Sequence, residues 1–156
     1  MDTENNYNYE EDEDNLYEKL QKENEEYVKI FESDLLEKGL SAKTVNRHIS
    51  NIDFYLNHFL LYGDLIPMKH GCGMVDAFLG EFFIRKCMWS TPGTIKSTAA
   101  SIKKFYKCMV EKNLVEKDAY ALLCEVIRDN MEEWQDRCSF YNDPDEINPF
   151  SIPDFF

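Results

Sequence analysis

Apolar residues recur along most of this chain at spacings of three and four, which is the period of a helix with one buried face. No stretch shows the alternation with a period of two that is typical of a half-buried strand. The pattern therefore predicts an all-α fold, a compact bundle of about five helices. Their expected ranges are about residues 16–38, 41–63, 74–88, 90–113 and 117–137.

Residues at the expected joints support these limits. Gly39 is a natural helix stop, and Gly63 and Asn113 mark the ends of the second and fourth helices. Ser41 is a good N-cap for the second helix. Ser90-Thr91-Pro92 is typical of a cap followed by a proline in the first turn, where the missing N–H costs nothing.

The two ends of the chain differ from its middle. Residues 1–14 contain so little to bury that we expect a disordered acidic tail. A helical domain should span residues 15–138, and residues 139–156 should form an acidic and aromatic tail. We expect residues 1–26 and 140–156 to be dispensable for the core. The apolar residues of the last segment could pack back on the domain or bind a partner: Phe150, Ile152, Phe155 and Phe156.

Charge is distributed unevenly along the chain, whose total is −13. Residues 1–26 carry eleven acids and two bases, and residues 113–156 carry eleven acids and three bases, so their net charges are −9 and −8. Residues 27–112 carry twelve bases against eight acids, a net charge of +4. The acidic average thus hides a mildly basic centre.

The composition of the chain argues against a membrane protein and against a metal-binding protein. No apolar run approaches the length of a membrane span, and the acidic N-terminus is unlike a signal peptide, so we expect a cytoplasmic protein without a membrane partner. Five cysteines without close pairing fit reduced thiols in a core. His70 and Cys72 form the only zinc-like pair, whereas a structural zinc site needs four ligands. We therefore predict no metal and no other cofactor.

No familiar catalytic constellation is present in the sequence. The chain lacks a glycine-rich phosphate loop, a His-Glu-x-x-His motif and a nucleophile elbow. With only three histidines, few arrangements for histidine-based general acid–base catalysis are possible. The helical pattern predicts that His48 faces solvent. The prediction is that the chain is not an enzyme. An unrecognised enzyme would need a concave pocket with converging polar side chains.

The one non-random charge feature is basic. Between Ile84 and Lys112 the chain has seven bases against Glu111 alone. The fourth helix turns three lysines away from its apolar stripe, with short hydroxyl residues beside them: Lys96, Lys103 and Lys107, with Ser97, Thr98 and Ser101. The second helix offers a similar polar set: Lys43, Thr44, Arg47, His48 and Asn51.

Side chains of these types suit contacts with phosphate, and Arg47 or Asn51 could read a base edge. The alternative interpretation is a solvated outer face whose lysines only confer solubility. A dedicated DNA-binding protein is also usually basic overall, which this chain is not.

Two stretches of the chain are distinctive: residues 37–56, EKGLSAKTVNRHISNIDFYL, and residues 90–109, STPGTIKSTAASIKKFYKCM, in which a Thr-Ile start leads to a Phe-Tyr near the end. The first is similar to the start, and the second to the later helix, of the core-binding, SAM-like domain of tyrosine recombinases and phage integrases. The resemblance spans about residues 27–115 and depends on the order and spacing of the two blocks.

The resemblance implies a helical clamp over one side of duplex DNA, with the second and fourth helices approaching the major groove. By resemblance, the contacts would be Lys43, Thr44, Arg47, His48, Lys96, Lys103, Lys104 and Lys107. The catalytic domain of that family, with its His-x-x-Arg motif and tyrosine nucleophile, has no counterpart in the acidic helix and tail that follow. We therefore expect a non-catalytic, stand-alone domain that binds DNA weakly or through a partner.

The competing hypothesis is a protein-interaction module. Its acidic ends, or the Phe150–Phe156 segment, would dock a partner or mimic or repel nucleic acid. One contiguous positive face on the folded surface would favour DNA. Dispersal of the eight basic-face residues, or their neutralisation by the fifth helix, would favour a protein partner. If DNA is bound, we expect the acidic ends to weaken the binding.

Overall fold

The computed structural model describes residues 3–143, with side chains from Glu10 onwards. The regular elements in this range are all helical, which confirms the predicted all-α class. None of these helices is long and apolar enough to cross a membrane. The five main helices are α1 (Thr3–Glu37), α2 (Ala42–Asp53, continued by the π-helical Phe54–Phe59), α3 (Val75–Ala77, the π-helical Phe78–Phe82 and Phe83–Lys86), α4 (Pro92–Glu111) and α5 (Lys117–Asn142).

The outer limits of α1 and α5 differ from the predicted ones. α1 begins at Thr3, within the segment for which composition predicts disorder. No glycine or proline interrupts its sequence, and glutamate is a good helix former, which accounts for the extension. Residues 10–19 are all exposed, so this part of α1 buries little. α5 reaches Asn142, while the predicted Phe150–Phe156 contacts lie outside the described residues.

The joints at Gly39, Ser41, Thr91 and Asn113 lie where the sequence predicts them, whereas the second helix ends at Phe59, before the predicted Gly63. Gly39 and Asn113, which follow α1 and α4, have φ values of 82° and 62°, in the left-handed region that ends many helices. Ser41 caps α2, because its hydroxyl accepts a hydrogen bond from the Thr44 N–H. Thr91 caps α4 in the same way. Local capping chemistry therefore fixes both helices that carry the predicted basic faces.

The chain divides into two compact units, of which the first ends at Gly71 and the second begins at Cys72. α1 and α2 belong to the first unit, and α3, α4 and α5 belong to the second. The sequence predicted one helical domain over residues 15–138, and the boundary falls within that range. It lies in a short 3-10 helix, Met68–Met74, where the apolar pattern predicted only a loop.

In the first unit, α1 packs against α2 through the apolar stripes of both helices. Phe31 and Ile52 are fully buried there. Leu20 and Asn24 are buried as well, and the Asn24 amide donates a hydrogen bond to Asn57 Oδ1 at 2.9 Å. The prediction that residues 1–26 are dispensable for the core is therefore wrong for the second half of that segment.

In the second unit, α5 packs against α3 and α4, and its Trp134 is fully buried. Trp134 Nε1 donates a hydrogen bond to Asp76 Oδ1 at 2.8 Å. α3 approaches this indole at Gly80, where an added Cβ would lie 2.9 Å from Trp134 Nε1. The Arg137 guanidinium donates to the Gly80 carbonyl at 2.6 Å. These contacts fix α3 to α5 and provide the frame that supports α4.

All five cysteines are thiols, and they lie in the second unit. Four of them are buried, and Cys124 is half-buried. Burial raises the pKa of the Cys72 thiol to about 12, with a smaller contribution from nearby Cys124. Burial also raises the pKa of Cys87 to about 11. Among the side chains that the structure describes, from Glu10 to Asp143, no three His, Cys, Asp or Glu residues are grouped so that they could hold a metal ion.

Candidate nucleic-acid interface

The longest acid-free stretch of the chain contains all of α4 except its last residue, Glu111. From Phe82 to Val110 there are six bases and no acid. Four of these bases lie on α4, and all four are exposed: Lys96, Lys103, Lys104 and Lys107. We call this set the α4 lysines.

Helical geometry aligns three of the α4 lysines in one strip. Lys103 and Lys107 follow Lys96 by seven and eleven positions, so all three point within about 20° of one direction. A rise of 1.5 Å per residue places the Cα atoms of Lys96 and Lys107 roughly 16 Å apart. Lys104 points about 80° to one side of the strip. The helix therefore presents its charge over three turns on a single side.

The opposite side of α4 is buried and holds the strip towards solvent. Ile95, Ile102 and Phe105 are all fully buried. Thr98 and Ser101, which the sequence placed beside the lysines, are 4% and 0% exposed. Their positions explain this burial, because they lie three or four residues from these apolar side chains. The two hydroxyls are therefore part of the packed face and cannot contact a ligand.

The α4 lysines form no ion pair with any carboxylate in the described part of the chain. The acids of α5 lie in the same unit, and the two ion pairs that involve them stay within α5. Arg137 pairs with Glu133 at 2.7 Å, and Arg128 pairs with Asp129 at 3.3 Å. Within the described residues, the acids of α5 therefore do not neutralise the α4 lysines by forming ion pairs with them.

The basic face of α2 is smaller than predicted. Lys43 and Arg47 are exposed and lie one helical turn apart. Thr44 is half-buried, and its hydroxyl accepts a hydrogen bond from the Ser41 hydroxyl at 3.0 Å. The Thr44 N–H also donates the capping hydrogen bond to Ser41 Oγ. Both the hydroxyl and the N–H of Thr44 are therefore used in the cap at the start of α2.

The prediction that His48 faces solvent is wrong. His48 is 3% exposed, and its ring lies edge-on to Phe31 of α1 with 6.4 Å between ring centroids. The helical period accounts for this position, because His48 follows Val45 by three residues and precedes Ile52 by four. Both of these neighbours are buried. Spacing could therefore have placed His48 in the core from the sequence.

The eight predicted contact residues are divided equally between the two units. The structure brings four exposed lysines together on α4 and two exposed bases together on α2, and it withdraws Thr44 and His48. Two further exposed bases, Arg85 and Lys86, end α3 in the same unit as α4. The sequence signal for these two residues was the acid-free stretch to which they belong.

No protein-family model, curated protein or solved structure matches this chain.

Proposed function

We propose that this chain is a non-catalytic DNA-binding module in which the α4 lysines contact the phosphate backbone. The observation that carries the proposal is the strip of Lys96, Lys103 and Lys107, which is exposed and forms no ion pair within the described residues. Lysine ammonium groups contact phosphates as point charges and carry little sequence information. The binding should therefore be modest, insensitive to sequence and strongly dependent on salt.

The resemblance to recombinase core-binding domains favours the same assignment. Its second block, residues 90–109, contains the whole strip, and its first block, residues 37–56, contains Lys43 and Arg47. In this proposal α4 makes the main contact and α2 adds a smaller one. Thr44 and His48 are left out of the proposed contacts because one belongs to a helix cap and the other is buried.

The acidic ends are proposed to limit the affinity. The acids of α1 from Glu10 to Glu18 and those of α5 are exposed, so they repel a polyanion over about a Debye length, roughly 8 Å at physiological salt. Deleting these ends would remove Leu20 from the first unit and Trp134 from the second, and both are buried. Substitution of surface acids by their amides is therefore the appropriate way to relieve this repulsion.

A second candidate function is the docking of a basic protein partner. α5 carries a strip of acids with the same helical spacing as the lysine strip of α4. All four are exposed: Glu125, Asp129, Glu132 and Asp136. Reversing Glu132 and Asp136 to lysine should strengthen DNA binding if α5 only repels DNA. The same variant should lose a basic partner if α5 is the docking surface.

The proposal is tested by titrating a labelled duplex with the full chain at low salt and following fluorescence anisotropy. Lys103→Glu with Lys107→Glu should weaken binding at least about tenfold, because two phosphate contacts become repulsive. The matched control is Lys22→Glu with Lys29→Glu, which makes the same change in net charge on exposed positions of α1. Equal losses for both variants would show that α4 has no special role.

The non-catalytic part of the proposal has its own test. Supercoiled plasmid incubated with the full chain and divalent cations should stay supercoiled, and a suicide substrate should form no covalent adduct. Nicking or adduct formation that survives further purification would contradict this part and leave the α4 contact untouched.

A further inference from the structure

The acids of α5 form a strip on the side of the helix that faces solvent. Four of them are exposed and point within about 30° of one direction, and we call them the α5 acid strip: Glu125, Asp129, Glu132 and Asp136. The fully buried Trp134 points in nearly the opposite direction. The packing of α5 therefore holds the strip towards solvent.

Most of the α5 acid strip is unpaired. Within the described part of the chain, three of its members form no ion pair: Glu125, Glu132 and Asp136. Asp129 pairs only with its sequence neighbour Arg128, at 3.3 Å. The second unit therefore presents two exposed strips of opposite charge, the α5 acid strip and the α4 lysines, that do not pair with each other among these residues.

The spacing of the acids matches the spacing of the lysines. On α4 the strip has intervals of seven and then four residues, at Lys96, Lys103 and Lys107. On α5 the same intervals occur in the same order at Glu125, Glu132 and Asp136, and in reverse order at Glu125, Asp129 and Asp136. Each set is roughly 16 Å long. An α4 helix laid along α5 in either direction therefore sets three lysines opposite three acids.

Exposed apolar side chains lie at both ends of the α5 acid strip. Leu122 is 52% exposed, one turn before the acids begin, and Phe140 is 46% exposed, one turn after they end. Both point within about 50° of the direction of the strip. On α4 the half-buried Pro92 and Val110 lie one turn before and one turn after the lysines. The two helices therefore share one pattern, a charged centre with an apolar residue at each end, and differ in the sign of the charge.

We infer that the α5 acid strip binds the α4 lysines of a second copy of this chain. Charge complementarity is the reason for choosing a second copy. No acid occurs from Phe82 to Val110, so every copy carries the basic helix that the acid strip requires. Each copy has a net charge of −13, so two copies repel each other except where the two strips meet. Exposed ion pairs contribute little, so the association is weak, with a dissociation constant on the order of 0.1 mM.

Self-association and DNA binding use the same lysines in this scheme. Duplex DNA should therefore separate the paired copies, and a high protein concentration should weaken the binding of DNA. This competition rests on the proposed function, whereas the self-association requires no DNA. A different basic protein is the other possible occupant of the α5 acid strip, and the experiment distinguishes it from a second copy.

The experiment is sedimentation velocity of the full chain at low salt and without DNA. The weight-average sedimentation coefficient should rise with protein concentration up to about 0.5 mM and return to the monomer value when salt screens the ion pairs. Two variants should stay monomeric, because each sets like charges opposite one another. The first is Lys103→Glu with Lys107→Glu, and the second is Glu132→Lys with Asp136→Lys.

An equimolar mixture of these two variants is the sharpest test. Reversing two lysines lowers the net charge from −13 to −17, and reversing two acids raises it to −9, so the two variants still repel each other overall. The acidic α4 of the first variant nevertheless fits the basic α5 of the second. The unchanged α5 acids of the first also fit the unchanged α4 lysines of the second. The mixture should therefore associate about as strongly as the parent.

The matched control is Lys22→Glu with Lys29→Glu, which makes the same change in net charge at exposed positions of α1. It should self-associate much as the parent does. A parent chain that stays monomeric at low salt would overturn the inference and leave the α5 acid strip to a different basic protein. Mixed variants that fail to associate would overturn it as well. In both cases the proposed function stands on its own titration with DNA, and a chain that self-associates without binding DNA would remove the proposed function alone.

Discussion

α2 and α4 are both capped amphipathic helices with bases opposite a buried stripe, yet they expose these bases differently. On α4, Lys96, Lys103 and Lys107 share one direction over three turns, and all are exposed. On α2 only two bases are exposed, Lys43 and Arg47, and the half-buried Thr44 and the buried His48 lie beside them. The number of polar residues on a helix therefore overstates its binding surface, and their angular register decides how many can meet a phosphate chain.

The largest expected effect concerns the frame that supports α4. Gly80→Ala places a Cβ 2.9 Å from Trp134 Nε1 and 3.0 Å from Asp76 Oδ1, and the gap between α3 and α5 cannot widen without loss of packing. The free energy of unfolding should fall by about 2–3 kcal/mol, as overpacking of a core typically costs. Urea denaturation followed by tryptophan fluorescence measures it.

Gly73→Ala is the control for this substitution, because an added Cβ at Gly73 meets nothing within 4 Å. Its effect should stay within about 0.5 kcal/mol. A Gly80→Ala chain as stable as the parent would show that α3 and α5 are not fixed at this point.

The next prediction distinguishes the two roles considered for His48, packing in the core and contact with DNA. His48→Ala removes a ring that is packed in the core of the first unit, so the free energy of unfolding should fall by about 2 kcal/mol. Ser50→Ala, at an exposed position of α2, should change it by less than about 0.5 kcal/mol. Duplex affinity at a temperature where both variants are folded should equal that of the parent. If His48→Ala lost duplex affinity without losing stability, His48 would belong to the DNA-binding surface and not to the core.

The sequence predicts much of this fold because local signals determine it. Gly39, Ser41 and the Thr91-Pro92 start of α4 have the conformations that their chemistry favours, and apolar spacing identifies the stripes of all five helices. The buried positions of His48, Thr98 and Ser101 were missed because polar residues were assigned to the surface by type. Their spacing from apolar neighbours would have corrected this.

Other features depend on contacts distant in sequence, and local patterns do not contain them. The bond between Asn24 and Asn57 joins α1 to α2, and the close approach of Gly80 to Trp134 joins α3 to α5. The division after Gly71 follows from which helices pack together. For the candidate site, the exposed positions of the α4 lysines were predictable from their helical register.

A smaller effect on DNA binding is expected for α2. Lys43→Glu with Arg47→Glu reverses two exposed charges and should weaken duplex binding by about threefold, roughly 0.7 kcal/mol. This loss should be clearly smaller than the loss caused by Lys103→Glu with Lys107→Glu. Anisotropy titrations at one low salt concentration compare the two variants. A larger loss of duplex affinity for the α2 variant would show that α2, and not α4, makes the main contact with DNA.

The smallest expected effect is a dependence of stability on alkaline pH in the second unit. Unfolded thiols ionise from about pH 9, whereas burial keeps Cys72 and Cys87 protonated until about pH 12 and pH 11. The unfolded state therefore releases protons first, and the stability of this unit should fall as the pH rises above about 9. Urea unfolding at several alkaline pH values measures the slope, which Cys72→Ala with Cys87→Ala should flatten. An unchanged slope in that variant would contradict the role of these thiols.

The salt dependence of duplex binding by the full chain tests the central claim most directly. If the four α4 lysines contact phosphates, they should contribute about −3 to −4 to the slope of log affinity against log salt, and α2 should add a smaller amount. Lys103→Glu with Lys107→Glu should reduce the magnitude of this slope by about 2, whereas Lys22→Glu with Lys29→Glu should leave it unchanged. A slope near zero, or no binding at low salt, would contradict the assignment of α4 as a DNA-binding helix.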